Sequence, residues 1–489
     1  MMASLKYWYI FLLIGTIQFK TINSLQACKP KIAIIGAGIG GSSAAHFLTK
    51  PFRNAEIHVF EKNVVGGRLS LVKFGNEEFE AGGAIIHPRN KYMQEFVKLL
   101  NLSARPPASV GGRFGIWNGK ELVFEESSWD TVTMLKLIYR YGFDPIYLYR
   151  YINNILDDFE RIYDFQNKGI GFDNVTALVQ AMNPDFINLL QTPMEKHLTD
   201  LGYSSKLIKE LVEATLVVNY GQDIDVHSFV ASVSIAGAGF DLWSVKGGNK
   251  KVPEKLIQEN DQVTLKHSAV KKVRKSILND KVKYEITYTE IDKETDSTSE
   301  YDIVIIAAPM TNDHFSSVIF EGFDDDLTFS GTYQTTIATF VSGEVDFSYF
   351  DLDEDIQGIM SCEPEKTIIS SIGKLSSVEG TKNPKTNIWK IFSRKKLNQT
   401  LLNKMFKNIE EIQEISWKAY PKYSSSLRLD KFKLDDAMYH VNAIEWAASA
   451  MEMSAIGGRN VAILAYNDYK RICSAVNTIT TTTTASSEL

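Results

Sequence analysis

The sequence predicts an α/β protein in which a domain built around a parallel sheet is interrupted by two long inserts. Three observations predict this fold class. A short apolar strand leads directly into a glycine-rich loop at residues 31–41, and a second, fully apolar strand follows much later at residues 301–309. The stretches between the sheet-forming segments are long enough, in a chain of 489 residues, to form a second domain.

The first segment carries the pattern of a dinucleotide-binding βαβ unit. After the strand at residues 31–35, Gly36, Gly38 and Gly41 match G-x-G-x-x-G, and an Ala-rich helix and a second strand ending at Glu61 follow. In such a unit the first glycine permits the tight turn, the second lets the pyrophosphate approach the backbone, and the third lets helix and strand pack closely. The helix amino terminus attracts phosphate, and the acid binds the ribose hydroxyls. The segment therefore predicts a Rossmann-like cofactor site.

The glycines that follow Glu61 favour FAD as the dinucleotide. Residues 64–68 resemble the GGR extension of flavin-dependent amine-oxidase-like proteins, in which Gly67 would let the chain cross the pyrophosphate and Arg68 would supply a guanidinium to it. Gly83 marks a second close approach of the backbone to the ligand, whereas a lone histidine such as His87 is more often a structural residue. Because the sequence has no second G-x-G-x-x-G, oxygen is the expected oxidant.

Later segments return to the same domain. Residues 263–273 are predicted to form a strand, with the backbone of Val270 at the adenine edge. The apolar strand at 301–309 ends in small residues, which would let it run beside the cofactor. A helix is predicted to open at residues 442–448 and to point its amino terminus at the flavin, with Glu445 beside the ring. An ordinary first-turn acid that complements the helix dipole is an equally good interpretation of Glu445.

These segments define the predicted fold: a discontinuous Rossmann-like FAD-binding domain plus a mixed α+β substrate domain with an antiparallel sheet and a helical insert. Alternating runs in the second insert predict the antiparallel sheet. The predicted division is a signal peptide at 1–27, FAD-binding segments at 28–89, 241–314 and 436–475, a helical substrate-domain insert at 90–240, a sheet-containing substrate domain at 315–435, and a disordered Thr-rich tail at 476–489.

The first insert is rich in aromatic residues between Leu135 and Phe165. These side chains are candidates for the lining of a long apolar tunnel or for docking on a membrane surface. For any one of them, ordinary core packing with a polar tip at the surface is the better interpretation.

The amino terminus predicts entry into the secretory route. Residues 7–17 are apolar, follow a short basic start and are too few to span a bilayer, and small residues then offer a cleavage site, which is typical of a signal peptide. This route gives meaning to three sequons, at Asn101, Asn174 and Asn398. The predicted location is therefore the lysosome or the extracellular space.

Composition excludes several classes of function. The formal net charge of −6, from 53 Lys and Arg against 59 Asp and Glu, argues against a nucleic-acid partner. Three cysteines are too few for a disulfide framework, and no metal-ligand motif is present, so no metal is expected.

Several stretches together resemble the prenylcysteine oxidases. Beyond the GGR motif, they are residues 33–46, 219–222, 242–245, 247–250 and 442–466, so that the resemblance spans most of the chain. One departure is Lys246, which stands where that family commonly has an acid.

The resemblance implies an FAD-dependent thioether oxidase of the lysosome that acts on a small-molecule prenylated cysteine and oxygen. It would cleave farnesyl- or geranylgeranyl-cysteine to cysteine, a prenyl aldehyde and hydrogen peroxide, by hydride transfer from prenyl C1 to flavin N5. No catalytic acid or base is identified, and neither the prenyl chain length nor the oligomeric state follows. Two alternatives stay open: a flavin amine or polyamine oxidase, and a secreted lipid-binding flavoprotein without turnover.

Overall fold

The computed structural model describes residues 29–106, 113–239, 241–278, 281–311, 317–329, 331–352, 356–380 and 387–485, with backbone alone after residue 471. The predicted signal peptide, Cys28 and residues 486–489 lie outside these ranges, as do the side chains of the Thr-rich tail.

Helices and strands alternate along the chain. The helices are α1 (Ile39–Thr49), α2 (Lys91–Leu99), α3 (Asp130–Tyr141), α4 (Asp144–Phe159), α5 (Arg161–Asn167), α6 (Val175–Met182), α7 (Phe186–Gln191), α8 (Met194–Asp200), α9 (Ser205–Leu207), α10 (Glu213–Tyr220), α11 (Ser228–Ala236), α12 (Lys251–Gln258), α13 (Gln399–Met405) and α14 (Met451–Ala485). A π-helical turn (Ile208–Val212) joins α9 to α10, and two 3₁₀ turns occur at Phe347–Phe350 and Val441–Trp446.

The strands are β1 (Lys31–Ile35), β2 (Glu56–Glu61), β3 (Leu71–Phe74), β4 (Glu77–Glu80), β5 (Ala104–Arg105), β6 (Phe114–Trp117), β7 (Leu122–Glu125), β8 (Ser244–Val245), β9 (Val263–Leu278), β10 (Lys281–Glu290), β11 (Asp296–Tyr301), β12 (Ile303–Ile306), β13 (Ile319–Glu321), β14 (Tyr333–Val345), β15 (Gly358–Ser361), β16 (Ile369–Lys374), β17 (Ile388–Ser393), β18 (Phe406–Pro421), β19 (Lys433–Asp435) and β20 (Met438–His440).

The larger sheet is the frame of the predicted cofactor domain. Its centre is parallel, in the order β9-β2-β1-β12-β20, while β10 and β11 continue one edge and β19 closes the other, antiparallel to their neighbours. Residues 32–34 of β1 have no exposed surface, as expected of a parallel strand covered on both faces. Three distant parts of the chain thus meet in one sheet, which confirms the predicted fold class.

The second sheet has seven strands in the order β18-β14-β17-β16-β15-β6-β7. It is antiparallel except where β15 runs parallel to β6. Two of its strands, β6 and β7, come from the first insert, the rest of which is mainly helical. The two strands form a hairpin whose turn is held by Asn118, because its side chain accepts hydrogen bonds from the N–H groups of Lys120 and Glu121. Both strands are too short for an alternating pattern to be recognised in the sequence.

The end of the chain differs from the prediction in two ways. The helix expected at residues 442–448 is a 3₁₀ turn, and α14 begins only at Met451. The backbone of α14 then continues to Ala485, where the sequence predicts a disordered tail. Extending a helix that is already nucleated and packed costs far less than starting one, which accounts for helical backbone in a Thr-rich segment.

The close fit of α14 against α1 depends on glycine. A Cβ on Gly458 would lie 2.7 Å from the carbonyl oxygen of Gly40 and 2.9 Å from the backbone nitrogen of Ala44. Since Gly40 belongs to the glycine-rich loop, α14 supports that loop directly.

Candidate active site

Each of the three fingerprint glycines has a different geometric reason to be glycine. Gly36 has φ +110°, and a Cβ there would lie 2.6 Å from the carbonyl oxygen of Ala307 in the loop after β12. A Cβ on Gly41 would overlap the carbonyl oxygen of Gly36. A Cβ on Gly38, by contrast, would meet nothing closer than the Gly66 carbonyl oxygen at 3.9 Å, so it would project into open space.

That open space is where a phosphate group would lie. Gly38 is the residue before α1, which begins without a side-chain cap, and Gly36, Gly38 and Gly40 all line one large cavity. The first N–H groups of a helix lack partners within it. The loop and the helix amino terminus therefore fit a pyrophosphate.

Glu61 is held in a fixed position at the end of β2. Only 9% of its surface is exposed, and its Oε2 accepts a hydrogen bond of 2.9 Å from the N–H of Ala37 while its Oε1 accepts one of 2.8 Å from the N–H of Asn63. It lines the same cavity as the glycines. Because an ionised carboxylate has about four acceptor sites, it can still receive the hydroxyls of a ribose.

The GGR motif crosses directly over the glycine loop. Gly66 forms a bridge with Gly38, and its N–H donates to the carbonyl oxygen of Ala37 at 3.0 Å. Gly67 has φ +57°, and a Cβ there would lie 3.5 Å from the Cα of Gly38. The predicted crossing of Gly67 beside the pyrophosphate position is therefore compatible with the backbone. Gly66, which the sequence analysis did not single out, is as constrained as Gly67, with φ +116°.

Arg68 lines the cavity and is held there by protein groups. Its Nη2 donates to Oε1 of Glu445 and its Nη1 donates to the carbonyl oxygen of Ala419 at 2.6 Å. Burial acts to lower the pKa of Arg68, but the Glu445 carboxylate outweighs this and raises the pKa above its ordinary value. The guanidinium is thus held by Glu445 and by the backbone of Ala419, and its contact with a pyrophosphate stays a prediction.

Glu445 is completely buried, in the 3₁₀ turn that precedes α14. Besides Arg68, its Oε1 accepts from Nδ2 of Asn442 at 2.7 Å, and its Oε2 accepts from the Tyr333 hydroxyl at 2.7 Å. Burial, followed by the nearby Glu445 charge, raises the pKa of Tyr333 well above its ordinary value. Glu445 lines the cavity, as predicted for a residue near the flavin, but it does so as the centre of a buried network and not as the first-turn acid of a helix.

A second polar cluster was missed by the sequence analysis. Glu80, at the end of β4, lines the cavity and is 4% exposed. Its Oε1 accepts from the N–H of Asn249 at 2.8 Å, whereas its Oε2 has no hydrogen-bond partner among the described residues. Burial raises the pKa of Glu80 to about 7, although the Asn249 N–H and the charges of Arg105 and Lys390 oppose the shift.

Lys390 belongs to the same cluster and comes from the second sheet. It lies on β17 and its Nζ is 3.3 Å from the backbone carbonyl oxygen of Glu80. Burial lowers the pKa of Lys390 to about 8, an effect that Glu80 opposes. Titratable groups whose pKa values are shifted toward 7 inside a cleft are candidates for functional residues. In the sequence, Lys390 could have been noticed as a lysine within a mostly apolar strand. Glu80 could have been noticed as an acid immediately before Ala81 and Gly82.

The remaining predicted residues occupy the cavity wall, except one. Gly83 and Val270 line the cavity, and Val270 precedes a β-bulge at Lys271, where β9 has one residue more than β10. His87 also lines it, and its Nδ1 accepts the N–H of Arg89 at 3.1 Å, a structural contact. Lys246, the departure from the family pattern, is exposed and does not line the cavity.

The cavity is large enough for more than a dinucleotide. Its volume is about 1830 Å³, roughly twice the upper range of typical ligand sites, which is about 1,000 Å³. From the glycine loop it extends to apolar side chains on α4, α10, α11 and the second sheet. Among the described residues no group of three or more His, Cys, Asp or Glu side chains is placed to hold a metal ion. No helix within the described ranges combines the length and hydropathy needed to span a bilayer.

Comparison with known proteins decides the family. A family model for prenylcysteine lyase matches residues 124–478. The chain belongs to the prenylcysteine lyase family. A second model, for an NAD(P)-binding Rossmann-like domain, matches residues 34–100, which contain the glycine loop, Glu61 and Arg68.

Relatives in this family are similar over nearly their whole length. Prenylcysteine oxidase 1 of Mus musculus is 37% identical over 482 residues, which cover 94% of this chain and 93% of that protein. Prenylcysteine oxidase 1 of Homo sapiens is 38% identical over 459 residues, with coverage of 91% and 90%. Prenylcysteine oxidase 1-like of Homo sapiens is 34% identical over 453 residues, covering 89% and 90%. The resemblance found in the sequence motifs is thereby confirmed.

Solved structures of low sequence identity share the fold. A triple mutant of putrescine oxidase matches with a TM-score of 0.59 at 14% identity, over 89% of this chain and 98% of that one. Cyclohexylamine oxidase from Brevibacterium oxydans matches with a TM-score of 0.56 at 13% identity, over 90% and 100%. This chain therefore shares the fold of these solved structures.

Proposed function

We propose that this protein is an FAD-dependent oxidase that cleaves the thioether of prenyl-L-cysteines, either farnesyl or geranylgeranyl. The products are cysteine, a prenyl aldehyde and hydrogen peroxide. The observation that carries the proposal is membership of the prenylcysteine lyase family, with 37% identity to a prenylcysteine oxidase over 94% of the chain. The large, mostly apolar cavity next to the glycine loop supports it, since a prenyl chain needs such an environment.

The choice of FAD rests on the residues around the loop. The open space at Gly38 and the Gly66–Gly67 crossing fit a pyrophosphate, and Glu61 fits an unphosphorylated ribose, because its charge disfavours a 2′-phosphate. When bound, FAD supplies the two-electron oxidation and passes the electrons to oxygen. The balanced reaction consumes one prenyl thioether, one oxygen and one water, and yields a thiol, an aldehyde and hydrogen peroxide.

The protein's own residues mainly position and shield the reactants. The hydrogen lost from prenyl C1 is activated by the adjacent sulfur and double bond, so alignment in a dry cavity is the principal requirement. The Arg68–Glu445–Tyr333 network fixes the wall of the cavity. We assign no catalytic acid or base.

We also propose that the protein is a glycoprotein of the lysosome or the extracellular space, made with a cleaved signal peptide. Asn101 and Asn398 are exposed, and Asn174 is partly buried. Asn174 and Asn398 each cap a helix through Oδ1, which leaves Nδ2 for a glycan. Peripheral contact with a membrane belongs to the same proposal.

In the deciding experiment, the purified flavoprotein is incubated with S-farnesyl-L-cysteine under air. We expect equal amounts of free thiol and peroxide, together with anaerobic bleaching of the flavin absorbance. Putrescine serves as the comparison substrate. Bleaching by putrescine but not by farnesylcysteine would make the protein an amine oxidase, and binding of farnesylcysteine without peroxide would make it a lipid-binding flavoprotein without turnover.

A further inference from the structure

Three charged side chains from distant strands line one part of the cavity. They are Glu80 at the end of β4, Arg105 at the end of β5 and Lys390 on β17. The charges of Arg105 and Lys390 both act on Glu80, so the three groups lie close enough to interact. We call these three residues the charged cluster.

Each member of the charged cluster keeps hydrogen-bonding capacity that the described part of the chain does not use. Oε2 of Glu80 has no partner there, although only 4% of the residue is exposed. Nε of Arg105 also has none, at 8% exposure, while its Nη1 donates to the Pro106 carbonyl oxygen at 3.3 Å. Nζ of Lys390 donates to the Glu80 carbonyl oxygen at 3.3 Å, and an ammonium has two further N–H groups. Because buried polar atoms without partners are uncommon in folded proteins, a bound ligand is the expected partner.

The arrangement of charges selects the kind of ligand. Two cations and one carboxylate can together hold a molecule that carries both an anionic and a cationic group. A free amino acid is such a molecule, because a single carbon separates its carboxylate from its ammonium. Arginine and lysine bind the carboxylate, and a carboxylate with an open oxygen accepts from the ammonium. A simple anion such as phosphate would instead be repelled by Glu80 in its ionised form.

Apolar side chains adjoin the charged cluster. Phe392 lies two residues after Lys390 on β17, so both side chains are on the same face of the strand. Nζ of Lys390 is 4.8 Å from the centre of the Phe392 ring. Phe392, Ile372 and Leu375 all line the cavity. A ligand with a charged head at the cluster can therefore place an apolar tail against the second sheet.

The charged cluster is also connected to the predicted cofactor site. Asn249, whose N–H donates to Glu80, donates through Nδ2 to the carbonyl oxygen of Gly83 at 2.9 Å. Gly83 is where the sequence predicts a close approach of the backbone to FAD. In a prenylcysteine, the reacting C1 is separated from the amino-acid Cα only by Cβ and the sulfur. A head held at the charged cluster would thus keep C1 near the cofactor.

We propose that the charged cluster binds the amino-acid head of the substrate: Arg105 and Lys390 hold its α-carboxylate, and Oε2 of Glu80 accepts from its α-ammonium. This assignment deepens the proposed function and rests on it. The three residues position the reacting carbon and distinguish a free prenylcysteine from one whose amino or carboxyl group is blocked.

The test measures binding without turnover. The probe is S-octyl-L-cysteine, whose saturated chain lacks the allylic activation of a prenyl group. Two analogues each lack one charge of the head: 3-(octylthio)propanoic acid has no amino group, and S-octyl-L-cysteine methyl ester has no carboxylate. Calorimetry gives the dissociation constant of each compound from the holoprotein for wild type, Glu80→Gln and Lys390→Met. Lys404→Met, an exposed position on α13, is the matched control.

The expected losses are specific to one group of the ligand. Lys390→Met should bind S-octyl-L-cysteine about tenfold more weakly than wild type, but the methyl ester no more weakly. Glu80→Gln should also bind S-octyl-L-cysteine about tenfold more weakly, but 3-(octylthio)propanoic acid no more weakly. Lys404→Met should bind all three compounds as wild type does. Because each cluster variant keeps the wild-type affinity for one analogue, damage to the fold is recognised separately.

Several results would overturn the assignment. They are no binding of S-octyl-L-cysteine to wild type, equal affinity of wild type and both cluster variants for it, or the same weakening for all three compounds. Loss of bound FAD from either cluster variant would also overturn it, because the cluster would then serve the cofactor. Oxidation of S-farnesyl-L-cysteine is measured separately. If wild type does not oxidise it but the group-specific losses of affinity are found, the proposed function fails and the binding assignment stands.

Discussion

At the scale of single residues, the glycines and the buried acids differ in how far the sequence reveals them. The spacing of Gly36, Gly38 and Gly41 predicts their different geometries, because each role follows from the backbone path of a βαβ unit. Glu80 and Lys390 were missed because the burial of a charge depends on which distant strand covers it. The pairing of Arg68 with Glu445 was missed for the same reason, because the two residues are remote in sequence.

Gly38→Val should abolish FAD binding without unfolding the protein. The added side chain meets no protein atom closer than 3.9 Å and fills the space assigned to the pyrophosphate. The purified variant should lack flavin absorbance, yet its circular dichroism and the melting temperature of its apoprotein should match those of wild-type apoprotein. Gly41→Val is the contrast, because its side chain would collide with Gly36 and should prevent folding. A yellow Gly38→Val holoprotein would refute the placement of the pyrophosphate.

Glu80→Gln should change how stability depends on pH. The folded protein holds the pKa of Glu80 at about 7 against an ordinary 4.5, so between these values it binds more protons here than the unfolded chain does. Stability from this group is therefore present at low pH and falls as pH rises from 4.5 to 7. The variant cannot ionise and keeps an acceptor for Asn249. It should equal wild type near pH 4 and be more stable by about 1–3 kcal/mol near pH 8.

Unfolding measured at both pH values checks this expectation. Glu78→Gln, an exposed neighbour on the same strand, is the control and should show the same difference from wild type at each pH. A Glu80→Gln effect that does not vary with pH would mean that the carboxylate is ionised throughout in the folded protein.

At the scale of elements, strands that are buried on both faces were predictable and short or irregular elements were not. β1 and β12 lie within predicted apolar runs. The β6–β7 hairpin and the 3₁₀ turn before α14 were missed because neither repeats long enough to show a period. The packing of α14 on α1 was also beyond prediction, because the significance of Gly458 depends on which residues face it.

Gly458→Ala should loosen this helix contact. The new methyl group would lie 2.7 Å from the Gly40 carbonyl oxygen, a backbone atom that cannot turn away, so we expect a loss of about 1–3 kcal/mol in stability. Because Gly40 is in the glycine loop, the amount of flavin that the protein retains during gel filtration should fall as well. Asn467→Ala, on the exposed side of the same helix, should change neither quantity. Unaltered flavin retention in Gly458→Ala would show that α14 does not support the loop.

At the scale of the whole molecule, the proposed secretory route makes the surface asparagines a direct test. We expect Asn101→Asp and Asn398→Asp each to remove one glycan, seen as a discrete fall in mass that glycosidase treatment eliminates. Aspartate is also a good helix cap, so Asn398→Asp should leave the melting temperature nearly unchanged. If neither variant shifts in mass after expression in a secretory host, the proposed route is wrong.

The interleaved order of the large sheet has a consequence for biosynthesis. Strand β1 must wait for β12 to pair with it, and the N–H of Lys31, its first residue, donates to the Asp302 side chain. Helix α14 must also arrive before the glycine loop gains its outer support. A nascent chain that ends before α14 therefore has the glycine loop but lacks the helix that packs against it. Contacts this distant along the chain form late and slowly. On the proposed function, we therefore expect the flavin to load only after α14 has been synthesised, from the supply in the compartment where the finished chain folds.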